Sequence, residues 1–133
     1  MGASMRLGAY PSKITKGTKS FAAYKNENIS ERHRHRYEFN NKYKKIFEKE
    51  GMVFSGVTTK DNLVEIIELK DHLWFVACQF HPEFKSKPDH AHPLFNHFVK
   101  ASLETHIEDK SAGHPIEALD EEAHKLDATH SFS

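Results

Sequence analysis

A chain of 133 residues suffices for one domain with a modest core, and Lys plus Arg balances Asp plus Glu at 19 each, which excludes polyanion-driven binding to nucleic acid or to a membrane surface. A single cysteine excludes an internal disulfide framework and permits a reducing compartment. No apolar stretch approaches the roughly 20 residues of a membrane span and no secretory h-region opens the chain, so a cytoplasmic location is expected.

Met5, Leu7 and Ala9 alternate with Arg6 and Tyr10, which predicts a short strand ending near Pro11. Gly17 to Lys19 reads as a turn, with Ser20 capping a short helix through Tyr24. Ile29 to Asn41 then sets Arg32, Arg34 and Arg36 and His33 and His35 between Glu31 and Glu38. One reading is a half-exposed strand with a solvated charged face. The other uses arginine as a planar fork for a carboxylate, a job lysine does poorly, and Arg36 stands at the strand end where a small acidic ligand can be met.

Asn40 or Asn41 caps a predicted helix to Glu50, Gly51 supplies its left-handed stop, and Tyr43, Ile46 and Phe47 form an apolar face expected in the core. Met52 to Thr58 and Leu63 to Leu69 read as a β-hairpin across the polar turn Thr59 to Asn62. Lys70 to His72 turns into Trp74 and a further strand. Three strands without an intervening helix imply antiparallel pairing.

Phe75 to Phe84 begins as a nearly unbroken apolar run, as expected for a strand buried on both faces, and ends in His81-Pro82-Glu83. Pro82 holds His81 out of the helical region, and in extended chain His81 and Glu83 point to the same side roughly 7 Å apart. A carboxylate there accepts the proton of one imidazole nitrogen and leaves the other facing a substrate or nucleophile. His81 is thus the candidate base and Glu83 its orienter. Cys78 stands at an odd offset from His81, on the opposite strand face, and reads as a small core residue. No Gly-x-Ser-x-Gly or Gly-x-Cys-x-Gly elbow occurs, so a nucleophile is missing. Although there are eleven histidines, with His90, His92 and His97 loosely clustered, neither Cys-x-x-Cys nor His-Glu-x-x-His occurs, and no metal site is expected.

Lys85 to His92 reads as a polar loop. Pro93 then opens a helix to about His106 whose stripe of Leu94, Phe95, Phe98, Val99 and Leu103 is expected in the core. The folded unit is placed at residues 1–106. Residues 107–133 are expected to form a flexible tail, with Pro115 to Leu126 transiently helical.

Together, Met5-Arg6-Leu7-Gly8, the run Glu31-Arg32-His33-Arg34-His35-Arg36-Tyr37-Glu38, Phe54 with Gly56, Leu63-Val64-Glu65-Ile66, Phe75 through Phe84 and His92-Pro93-Leu94-Phe95 resemble the C-terminal half of the class I glutamine amidotransferase domain of CTP synthases. The likeness covers roughly residues 2–105, and the Arg-His-Arg-His-Arg-Tyr-Glu run is its most specific mark. It implies an α/β fold, an incomplete class I glutamine amidotransferase (flavodoxin-like) fold whose mixed sheet holds an antiparallel hairpin and flanking helices. It implies a Cys-His-Glu triad that hydrolyses glutamine, with His81 as base, Glu83 as orienter and Arg36 on the glutamine α-carboxylate. It implies ammonia passed to a synthetase domain that converts UTP to CTP with ATP and Mg, none of which this chain is expected to bind.

The family's nucleophile elbow lies upstream of the stretch matched by Met5, so the chain is expected to be an inactive fragment whose partner is the missing N-terminal part of a CTP synthase. Two alternatives stand beside this. One is a non-catalytic glutamine-binding or regulatory module that kept Arg36; the other is half of a split enzyme.

Overall fold

β1, Arg6–Ile14, is the strand around which the sheet is built; the structure, a computed structural model, describes residues 4–111. It is followed by α1 (Lys19–Tyr24), β2 (Asn28–His35), α2 (Lys44–Lys49), β3 (Met52–Thr58), β4 (Val64–Leu69), β5 (Val76–Cys78) and α3 (Pro93–Ser111). Strand order is β2-β1-β3-β4-β5, and each of the four pairings is antiparallel. The fold is α/β as expected. The antiparallel hairpin extends to the whole sheet, so the parallel part of a mixed sheet is not found among the described residues.

The predicted β3–β4 hairpin forms across Thr59 to Asn62, with Asn62 in the left-handed region at φ 51°. Gly51, at φ 88°, ends the helical stretch before β3, where the left-handed backbone favours a residue without Cβ. Asn40 caps the 3-10 turn Asn41–Tyr43 that leads into α2.

After β5 the chain leaves the ladder and crosses to the far side of the sheet. The Gln79 amide donates to the Glu65 carbonyl on β4, and two residues later the His81 amide donates to the Arg32 carbonyl on β2. The sheet therefore curls, and the strand end carrying His81 bridges β4 and β2. Ile14, Ile66, Phe80 and Leu94 form the core beneath it.

Several expectations fail for identifiable reasons. β1 continues through Pro11 to Ile14. The Pro11 carbonyl accepts from Thr59, so the donor that proline lacks also faces β3, just past the end of that ladder at Ser12–Thr58, and no β2 bond is lost. β1 also turns the other way: Arg6, Tyr10, Ser12 and Ile14 face inward while Leu7 is 60% exposed, because Arg6 has carboxylate partners in half-buried Glu38 and fully buried Glu65. Thr18 caps α1 in place of Ser20, whose hydroxyl is taken by the Glu68 carboxylate at 2.6 Å.

β5 is a three-residue edge strand with half-buried residues, not a strand buried on both faces. The apolar sides expected in the core are open: Ile46 on α2 is 60% exposed, Tyr43 and Phe47 are also exposed, and on α3 only Leu94 of the predicted stripe is buried. The body ends at Val99 by compactness; the C-terminal unit, from Lys100, is described as helix to Ser111 and carries a Lys100–Glu104 ion pair. That helix runs past the expected limit at His106, and the rest of the expected tail, including Pro115 to Leu126, lies outside the described residues. Among the described residues no helix is long and apolar enough to cross a membrane, and no group of three metal-ligating side chains converges.

Candidate active site

His81 sits where the chain turns from β5 onto β2. Its backbone at φ −108°, ψ 89° stays out of the helical region, as the following proline requires. Pro82 then starts a 3-10 turn, Pro82–Phe84, and this turn, not an extended strand, delivers the Glu83 carboxylate to the imidazole: Nδ1 to Oε1 is 2.6 Å. An ionised carboxylate only accepts, so Nδ1 carries the proton and Nε2 is the basic nitrogen. The hydrogen bond from His81 holds the Glu83 carboxyl below the usual carboxylate range. The Phe84 ring stacks on the imidazole at 5.0 Å, so the ring plane is fixed from two directions while the pair faces solvent.

Arg36 follows the last residue of β2 and is exposed. It lines an open cavity of about 450 Å³ with Arg6, Tyr10, Glu38, Lys60 and Asp61, a lining to which His81 and Glu83 do not contribute. What links the two places is Gln79, whose side-chain amide donates to the Tyr37 carbonyl at 2.8 Å. The residue after Arg36 is thus tied to the strand end that leads to His81.

Beneath these groups lies a buried polar system that the alternation of the charged run did not disclose. Arg32 and Arg34 point outward, while Glu31 and His33 are buried. Glu31 accepts from the Tyr24 hydroxyl at 2.9 Å and pairs with His92 Nε2 at 2.8 Å. Burial pushes the Glu31 carboxyl up, yet the hydrogen bond and charge of His92, then Tyr24 and Lys85, outweigh it and leave it below its ordinary value.

On the same strand His33 contacts His35 at 2.9 Å and lies 3.2 Å from Glu65, which also receives Arg6 at 2.6 Å. Burial, then Arg6 and His35, lowers the His33 pKa to about 4, so the ring is neutral; burial raises the Glu65 carboxyl. The signal in the sequence was the period of two itself: Glu31, His33 and His35 share a face. What could not be read was that this polar face is the inner one.

Residues 1–101 match the glutamine amidotransferase class-I family. The chain belongs to the class-I glutamine amidotransferases. It is similar to the CTP synthase of Bdellovibrio bacteriovorus, 63% identical over 102 residues, which are 77% of this chain and 19% of that protein. It is also similar to the CTP synthase of Aquifex aeolicus, 59% identical over 104 residues, 78% of this chain and 20% of that protein. Among solved structures, the glutaminase domain of Trypanosoma brucei CTPS with bound acivicin superposes with a TM-score of 0.72 at 37% identity, covering 77% of this chain and 41% of that one. The chain spans about a fifth of the length of the curated relatives it matches.

For a glutamine amidotransferase, the placing of Cys78 matters. Its thiol packs against the core and donates to the Phe80 carbonyl at 3.5 Å. Burial first, then the nearby carboxylates of Glu31, Glu83 and Glu65, pushes the thiol pKa up to about 12. A thiol held protonated is a poor nucleophile. The described residues therefore present an imidazole oriented by a carboxylate, a separate guanidinium, and a thiol held protonated.

Proposed function

We propose that this chain supplies the base, its orienter and a substrate-binding arginine to the glutaminase site of a CTP synthase. The observation that carries the reading is the 2.6 Å contact between His81 Nδ1 and Glu83 Oε1, which leaves Nε2 available to take a proton. In this reading a cysteine thiol from the remainder of the domain gives its proton to His81 Nε2, and its sulfur attacks the amide carbon of glutamine. The proton then goes to the departing ammonia, and water releases glutamate from the sulfur. Glu83 stabilises the imidazolium formed in between. Arg36 holds the substrate α-carboxylate with its planar fork.

The ammonia would be used by the synthetase part of the enzyme, in the cytoplasm, to aminate UTP to CTP with ATP; nucleotide and Mg belong to that part, and glutamine is the ligand met by this one. By itself the chain is inactive, because triad members act as a unit. Ammonia release from glutamine by the purified chain is the test: none is expected, and release that His81→Ala abolishes would overturn the reading.

A second reading rests on the separate cavity at Arg36. A non-catalytic glutamine-binding or regulatory module would bind glutamine there to saturation, an event visible by calorimetry and lost in Arg36→Ala.

A further inference from the structure

Arg36 lies just past the end of the ladder that would hold it. The β1–β2 pairing stops at Arg6 and His35, and the side chains that follow, Arg36 and Tyr37, are exposed, the tyrosine at 78%. A guanidinium keeps a carboxylate in one place only if its own backbone is held, because ordering a loose anchor is charged against binding. Here the hold comes through a main-chain oxygen. The Tyr37 carbonyl accepts from Gln79 Nε2 at 2.8 Å and lies 3.0 Å from His35 Nδ1.

The two contacts differ in kind. His35 Nδ1 donates only when that nitrogen carries a proton, whereas the Gln79 amide donates in every protonation state. A carbonyl only accepts, so the amide nitrogen of Gln79, not its oxygen, must face Tyr37. That nitrogen also stands 3.3 Å from His35 Nδ1. Gln79 is half-buried and does not line the cavity at Arg36, so it acts on that cavity through the chain.

The backbone of Gln79 is placed just as firmly. Its amide donates to the Glu65 carbonyl at 2.8 Å, and two residues on the His81 amide donates to the Arg32 carbonyl at 2.9 Å. The strand end 79–81 and the end of β2 therefore form a closed frame. One strut runs from His81 to Arg32, the other from the Gln79 side chain to Tyr37. The frame ties Arg36 to His81 although the two line no common cavity.

We infer that Gln79 is a positioning residue: it holds the Arg36–Tyr37 segment at a set place relative to His81, so that a substrate whose carboxylate sits on Arg36 meets the imidazole at its far end. The inference rests on the reading of His81 as base and Arg36 as substrate clamp, and adds the group that fixes one against the other.

The test uses full-length Aquifex aeolicus CTP synthase in which the matching segment is replaced by that of this chain, with ammonia release from glutamine as the readout. Gln79→Met keeps the length of the side chain and removes the donor. It should raise KM for glutamine about tenfold and leave kcat within about threefold, and in an Arg36→Ala background it should change KM less than about twofold. An unchanged KM, a kcat that falls as far as KM rises, or an effect that persists in full beside Arg36→Ala would each overturn the inference. Arg36→Ala without effect on KM would sink the clamp and the inference with it, whereas a raised KM in Arg36→Ala and none in Gln79→Met would sink the inference alone.

Backbone ¹⁵N relaxation on this chain gives a measurement that needs neither the graft nor a variant. Order parameters at residues 36–38 should be near 0.85, as in rigid backbone, despite the exposed side chains, and should drop below about 0.6 in Gln79→Met while the His81 amide is unchanged. A flexible 36–38 segment in the unmutated chain would overturn the inference. A graft without activity would count against the role given to His81 and leave the relaxation data to decide the tie.

Discussion

Glu31 on β2 and His92, the residue before α3, meet at 2.8 Å with both side chains buried. Between them the chain leaves β2 and returns: the His81 amide bonds Arg32, Lys85 Nζ donates to the Ser30 carbonyl at 2.6 Å, and His92 closes the loop on Glu31. The loop carrying Glu83 is thus pinned to three consecutive residues of β2. Glu31→Ala would remove the carboxylate shared by the Tyr24 hydroxyl and His92, leaving only their mutual 3.2 Å contact, and a loss of about 3 kcal/mol is expected, as for breaking a buried pair. Glu31→Gln, which keeps one acceptor, should lose less. Urea denaturation of the two variants decides; equal, small losses would mean that the pair does not hold the loop.

His33 makes stability depend on pH in a definite direction. Its folded pKa is about 4 against an ordinary value of 6.5. Between these values the unfolded chain binds the proton and the folded chain does not, so stability falls as pH drops from 6.5 toward 4, by at most about 3 kcal/mol. Glu65, whose carboxyl is raised by burial, acts in the opposite sense above the ordinary carboxylate value, so His33 is best isolated by difference. Denaturation midpoints of the wild type and His33→Gln between pH 7 and 4.5 should converge as pH falls. Parallel curves would contradict the assignment.

Cys78 should be inert. With a thiol pKa of about 12 in place of 9.0, the thiolate fraction at pH 8 falls on the order of a thousandfold. Alkylation by iodoacetamide under native conditions should be slowed by a similar factor relative to the unfolded chain. Alkylation at the unfolded rate would show the thiol to be accessible and ionisable.

Gly56 lies where a Cβ would stand 2.7 Å from Ile66 Cγ1, and Ile66 is fully buried. Gly56→Ala must displace a core side chain, at a cost of roughly 1–3 kcal/mol. A thermal midpoint equal to that of the wild type would show that the β3–β4 contact is slack.

Local chemistry was legible in the sequence and long-range partnership was not. The turn Thr59 to Asn62, the stop at Gly51 and the start of α3 at Pro93 each follow from one residue's backbone preference, and each stands where expected. The pairing of His81 with Glu83 was also legible, although a 3-10 turn achieves it in place of a shared strand face. The facing of β1 was not legible, because Arg6 goes inward only on account of Glu38 and Glu65, which lie 32 and 59 residues away.

The apolar sides of α2 and α3 misled for a related reason. An amphipathic stripe says that a surface is to be covered but not by what, and Ile46, Phe98 and Val99 are exposed in this chain. β5 misled likewise, since an apolar run fits an edge awaiting a neighbour as well as a strand already buried.

The roles of His81 and Arg36 are both measured by a graft. The matching segment of Aquifex aeolicus CTP synthase is replaced by that of this chain, and ammonia release from glutamine is followed. The graft should be active. Within it, His81→Ala should lower kcat by on the order of 10⁴-fold, while Arg36→Ala should mainly raise KM. A graft that keeps its full rate after His81→Ala would contradict the account.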